Sequence, residues 1–218
     1  PECRQMLDFV LKRAREMGFE TEDHEGYCGS AISGDGAHCI GIIAHLDVVP
    51  EGEQWLYPPY GGTRVGDFLI GRGVGDDKSA AVMGLYLMRM FRELDIPLRH
   101  GLRVLMGCSE ETGMEDMEYY VQHYKQPVVS LIPDSMFPAN YAQKGSIKGL
   151  FAINPGEEIV EFHGGEVFNM VPPSATALLR GVPLFAASEG VDVSEENGMV
   201  RVRATGTAAH AARPEGGL

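Results

Sequence analysis

The chain has 218 residues, with 18 Lys and Arg against 31 Asp and Glu, a formal charge of −13 at pH 7, and 44% hydrophobic residues. That is ordinary globular usage for one large domain, or one domain and part of a second, and it argues against disorder. So acidic a chain lacks the basic footprint that binding a phosphate backbone requires, and its longest apolar stretch, Ala80 to Met88, is far below the ~20 residues of a spanning helix; neither a nucleic-acid nor a membrane partner is expected.

The opening Pro1-Glu2-Cys3-Arg4 leads into a charged amphipathic segment, not into the apolar core of a secretory leader. Cys3, Cys28, Cys39 and Cys108 form no CxxC pair and read as reduced thiols, which points to a cytoplasmic protein. Met6, Leu7, Val10, Leu11, Ala14 and Met17 recur at helical spacing, with Gly18 as the C-cap. A glycine-punctuated stretch from Gly26 to Gly36 precedes Cys39-Ile40-Gly41-Ile42-Ile43-Ala44, whose unbroken apolar run predicts a strand buried on both faces. Residues 51–75 read as a long irregular excursion. The segment Lys78 to Leu94 is apolar almost all round, which predicts a helix packed deep against a sheet. Leu102 to Met106 and Val128 to Ile132 are two further buried strands, separated by a helix that Met117, Tyr120, Val121 and Tyr124 mark.

Helices alternating with short buried strands predict an α/β fold, a mixed and mostly parallel sheet with helices on both faces. The character changes near Lys144–Lys148. Beyond it Val200, Val202 and Ala204 alternate with Arg201 and Arg203, the pattern of a half-exposed antiparallel strand. Residues 1–145 are therefore assigned to one domain, and 146–218 to part of a smaller α+β domain.

Each predicted buried strand runs into metal-type ligands. The first ends in His45-Leu46-Asp47, the second in Cys108-Ser109-Glu110-Glu111, and the third in Pro133-Asp134. In open α/β sheets, sites form beyond the carboxyl ends of the strands, so these ends can converge on one crevice. Between them, Gly73-Val74-Gly75-Asp76-Asp77-Lys78 delivers two acids at the start of the predicted helix. Singly, each piece has a plainer reading. Glu157-Glu158 and Glu195-Glu196 look like solvated loop acids, and Asp76-Asp77 could simply cap a helix. Jointly, carboxylates gathered so closely repel one another unless a cation sits among them.

The order HLD, GRGxxDDK, a strand ending in EE, and PDxxFP resembles the dinuclear zinc aminoacylase and carboxypeptidase superfamily. Asp47-Val48-Val49-Pro50 with Trp55, and Pro133-Asp134-Ser135-Met136-Phe137-Pro138 followed by Gln143-Lys144-Gly145, look most like its PepV-type dipeptidases. The resemblance runs from about residue 5 to the last residue. It implies metal ligation by His45, Asp76, Glu111 and Asp134, with Asp76 bridging two ions and joined to Asp77 by a cis peptide. It assigns Asp47 to orienting His45 through its far nitrogen, and Glu110 to acting as general base on a metal-activated water. The cofactor implied is zinc, two ions per full-length chain, with Mn or Co as alternatives. The substrate implied is a dipeptide or short peptide with a free amino terminus, cleaved by a monomer or homodimer.

Phe168-Asn169-Met170-Val171-Pro172 and Gly206-Thr207-Ala208-Ala209-His210-Ala211 resemble the family's lid domain, where His210 would act as a catalytic residue that reaches the substrate and Asn169 would face it. His24, His38, His100, His123 and His163 read as surface or loop histidines. The family's last metal-binding histidine stands near the C-terminus of a chain about twice this long, and nothing here takes its place. The sequence thus reads as a piece that ends within the lid, in what looks like the entry to a helix at Pro214-Glu215-Gly216-Gly217, and is inactive by itself. Other amidohydrolases of the superfamily (aminoacylase, deacetylase, carboxypeptidase) and a truncated non-catalytic relative are the rival readings.

Overall fold

The computed structural model describes residues 2–52, 55–135, 138–145, 147–152, 154, 156–165, 168–211 and 214. Two compact units divide the chain, Pro1–Asn140 and Tyr141–Leu218. The first begins with α1 (Glu2–Glu16), β1 (Glu20–His24), β2 (Cys28–Ser33) and β3 (Cys39–His45). A short hairpin, β4 (Thr63–Val65) and β5 (Phe68–Ile70), interrupts the excursion expected to be irregular. There follow α2 (Lys78–Glu93), β6 (Gly101–Gly107), α3 (Glu115–His123) and β7 (Val129–Leu131).

Five strands form one mixed sheet in the order β1-β2-β6-β3-β7. The β3/β6 and β3/β7 pairs are parallel, and β1/β2 and β2/β6 are antiparallel. Alternation along the strands divides the core into two layers. Ile42, Ala44, Val104 and Met106 meet Leu7, Leu11 and Ala14 of α1 and Ala80, Ala81, Leu85 and Met88 of α2. Leu105 and Ile43 face the other way, against Tyr120 and Met117 of α3. Helices thus cover both faces. A side chain such as Leu7 or Met88, wholly removed from water, contributes about 1.5–3 kcal/mol. The two helices on one face are tied at their ends, because Arg92 donates to the carbonyl oxygens of Met17 (2.7 Å) and Gly18 (3.3 Å) past the end of α1.

Three expectations need correction. The helix α2 is not buried all round. Its small residues face the sheet, and a Cβ on Gly84 would press into Val104, but Val82, Met83, Tyr86 and Met90 are exposed on the far side. The edge strand β7 is exposed along its length, since nothing among the described residues pairs with its outer edge. His24 is no surface histidine: it lies in β1, fully buried, 2.8 Å from Ser30 Oγ and edge-on to the rings of Tyr120 and Tyr124. The sequence showed no reason for this because β1 is nearly all polar, and only its pairing with β2 carries His24 under α3.

Burial holds the His24 imidazole below its ordinary value of 6.5; Glu22 opposes that shift and Arg103 adds to it. The folded chain therefore binds this proton more weakly than the unfolded chain. The stability it contributes is complete above 6.5 and is lost as pH falls below that value. Melting temperature should drop between about pH 7 and about pH 5, and His24→Gln should flatten part of that drop. An identical pH slope in both proteins would show that His24 is not responsible.

The second unit contains β8 (Ile159–Gly164), β9 (Met170–Val171), β10 (Ser174–Leu179), β11 (Val191–Glu196), β12 (Met199–Thr205) and β13 (Ala209–His210). An antiparallel sheet runs β11-β12-β10-β8, and β9 pairs with β13. Val200 is buried and Arg203 exposed, in line with the alternation in the sequence. Among its described residues this unit has strands only; residues 215–217 of the expected helix entry lie outside them. No helix among the described residues is long and apolar enough to cross a membrane.

Candidate metal centre

The sheet brings five of the predicted residues together. His45 closes β3, Glu110 and Glu111 follow β6, Asp134 follows β7, and Asp76 sits in the turn before α2. Because β3, β6 and β7 are parallel neighbours, their carboxyl ends emerge at one edge. The backbone joins the first two ends, with the Leu46 amide donating to Gly107 O at 2.9 Å. His45 Nε2 lies 2.9 Å from Asp76 Oδ1 and 3.8 Å from Asp134 Oδ2. The donor atoms of His45, Asp76 and Asp134 fall within 4.8 Å of one another, and so do those of His45, Glu110 and Glu111.

The turn that delivers Asp76 is shaped by glycine. Gly73 has φ of 81°, and a Cβ there would strike Val48 and Lys78 Nζ. The Lys78 amide closes the turn onto Gly73 O at 3.1 Å. The Asp76–Asp77 peptide is cis. Asp77 stands at the N-cap position of α2, as the plain capping reading has it, but makes no side-chain cap bond. It is wholly buried, and burial together with the charge of Asp134 pushes its carboxyl up to about 6.

Asp47 does more than was expected of it. The Nδ1 of His45 lies 3.0 Å from the carbonyl oxygen of Asp47 and 3.4 Å from its carboxylate. That carboxylate also accepts the backbone amides of Glu110 (3.3 Å) and Glu111 (3.1 Å). Burial alone would raise the Asp47 pKa, but the His45 ring and the Glu111 amide hold it below the usual carboxylate range. Burial also opposes protonation of His45, yet Asp47 and Asp76 lift its imidazole to about 10. Glu110 and Glu111 are both raised, first by burial and then by neighbouring acids.

This donor set fits a hard or borderline divalent cation. It offers one imidazole nitrogen, with the ring's other nitrogen engaged, and several carboxylates around it. Sequence reasoning passed over Asp116, which is buried in the first turn of α3 and accepts the amides of Cys108 and Ser109 (2.9 Å for Ser109). An acid in a helix's first turn is commonplace, so the sequence carries no signal for that role.

His210 and Asn169 lie in the second unit and are brought near each other there. His210 stands opposite Met170 in the β9/β13 pair, and the Ala211 amide donates to Asn169 O at 2.7 Å. Met136 and Phe137 of the PDxxFP stretch lie outside the described residues, as do Gly216 and Gly217 near His210.

Parallel strand ends that present His45, Glu110, Glu111 and Asp134, with Asp76 from the adjoining turn, form on this α/β domain a group that could hold a metal ion. The chain belongs to peptidase family M20/M25/M40, whose sequence pattern matches residues 41–212. It is 28% identical over 230 residues to "Putative dipeptidase YtjP" of Bacillus subtilis, covering 97% of this chain and 50% of that protein. It is 31% identical over 185 residues to "Putative dipeptidase SSP1012" of Staphylococcus saprophyticus, covering 81% of this chain and 39% of that one. The chain thus spans half or less of the length of these relatives. The crystal structure of human carnosine dipeptidase 1 matches its fold with a TM-score of 0.52 at 20% identity, over 62% of this chain and 33% of that one.

Proposed function

We propose that the polypeptide carrying this chain is a metal-dependent dipeptidase, acting on short peptides with a free amino terminus. The observation that carries this reading is the gathering of His45, Asp76, Glu110, Glu111 and Asp134 at one sheet edge. In this reading His45, Asp76, Glu111 and Asp134 hold the cation pair, zinc first among the candidates. Such a pair, when bound, supplies Lewis acidity that polarises the scissile carbonyl and makes water acidic enough to attack near neutral pH. Glu110 then takes the attacking water's proton on a carboxylate oxygen and returns it to the leaving amine. Burial raises the Glu110 carboxyl above its ordinary value, the direction that strengthens a carboxylate as a base. Asp47 keeps the His45 ring turned so that Nε2 faces the acids. His210 donates to the oxygen on which charge develops, and Asn169 contacts the substrate. Four unpaired thiols support a cytoplasmic location.

The test is hydrolysis by the whole polypeptide of an unblocked dipeptide, set beside an N-acetylated amino acid and an N-blocked peptide. Only the unblocked dipeptide should be cleaved. Chelation should abolish cleavage, a divalent cation should restore it, and elemental analysis should find about two ions per chain. Preferential hydrolysis of the N-acetylated amino acid would make this an aminoacylase. Cleavage that survives exhaustive chelation would overturn the metal assignment.

A further inference from the structure

Four consecutive backbone amides, those of Cys108, Ser109, Glu110 and Glu111, each donate to a buried carboxylate. Asp116 Oδ2 takes the first two, and Asp47 takes the second two through Oδ1 (3.3 Å) and Oδ2 (3.1 Å). The segment is therefore clamped from both ends, at the point where β6 stops and its last side chains must be aimed. Asp116 is only 2% exposed, and its carboxylate accepts the amides of Cys108, Ser109 and Met117, none of which is a candidate ligand. Its remaining oxygen accepts the Met117 amide at 2.7 Å, and its own amide donates to Ser109 Oγ at 3.1 Å. The turn closes further with the Met114 amide on Ser109 O at 2.7 Å. Gly107 is required beside it, because a Cβ there would run into Asp116 Oδ2.

We propose that Asp116 is a positioning residue for the Glu110–Glu111 pair: through the amides of Cys108 and Ser109 it sets the backbone on which Asp47 then fixes both acids. The inference rests on the dipeptidase reading given above. An acid that only began α3 would bond to the amides of its own helix. Asp116 gives one oxygen to the Met117 amide of its own helix but spends the other on the strand end seven and eight residues earlier. A neutral amide cannot replace it, since the carboxylate accepts on both oxygens and an Asn side chain would turn an N–H against at least one donor. The carboxylate also makes each of these bonds charge-assisted, and hence shorter and stronger than a neutral one.

The experiment compares Asp116→Asn, Ser109→Ala and the exposed neighbour Glu115→Gln with wild type in the whole polypeptide. It measures amide hydrogen exchange over residues 108–111, metal content, and kcat and KM on a dipeptide. Asp116→Asn should speed exchange across all four amides, including those of Glu110 and Glu111. It should lower kcat by about 10–10²-fold with KM nearly unchanged. Ser109→Ala, which removes only the hydroxyl that accepts the Asp116 amide, should shift exchange and kcat in the same direction by less. It carries the test should Asp116→Asn not fold. Glu115→Gln should change neither. Faster exchange confined to α3, with Glu110 and Glu111 amides and kcat as in wild type, would reduce Asp116 to a structural role and overturn the proposal. If wild type cleaves no dipeptide, the dipeptidase reading fails by itself, while the exchange data still decide whether Asp116 holds this segment.

Discussion

Glu110→Gln should reduce kcat by about 10²–10⁴-fold while leaving metal content unchanged. The two acids after β6 are adjacent in sequence, similarly half-buried, and both raised in pKa by the same surroundings, so titration does not tell them apart. Their chemistry does. A general base must lose and regain a proton during turnover, and the amide of Gln can do neither. A ligand need only donate a lone pair, and its loss shows first in affinity. Glu111→Gln should therefore lower metal occupancy at limiting metal and recover part of its activity when metal is raised. Glu110→Gln should bind metal as wild type does and stay inactive at any concentration. Elemental analysis after dialysis, with kcat measured across a metal titration, separates the two. If Glu110→Gln loses metal and Glu111→Gln keeps it, the roles are exchanged.

His210→Ala should lower kcat by about 10²–10³-fold, equivalent to about 3–4 kcal/mol of transition-state stabilisation. Attack on a peptide carbonyl moves negative charge onto its oxygen, and a donor placed for that charge acts in the transition state far more than in the substrate complex. The loss should therefore fall on kcat and leave KM, metal content and melting temperature close to wild type. His210 is exposed, on a two-residue strand whose backbone pairs with Met170. An unchanged kcat would return His210 to an ordinary surface-strand residue, and a loss of metal would mean it is needed for ligation.

The amino-acid sequence by itself carried the parts that depend on local chemistry. An unbroken apolar run marked β3, helical spacing marked α1, and a segment apolar almost all round marked α2, because periodicity and hydrophobicity are written into consecutive residues. It also carried the acids and His45 at the strand ends, and through their order the family to which the chain belongs. Periodicity, however, reports which side chains are apolar and not what covers them. Only the tertiary structure put the polar strand β1 beside β2, buried His24 under α3, and left one side of α2 and the whole of β7 in solvent. The same limit applies to the carboxylates. Asp116 looks like any acid at a helix start, and although the family resemblance pointed to Asp47 as a partner of His45, no pattern in the sequence shows that these two carboxylates accept amides 63, 64, 8 and 7 residues away along the chain. Hydrogen bonds of that kind are set by which strand ends the sheet brings together, and that pairing is decided by the packing of the whole core.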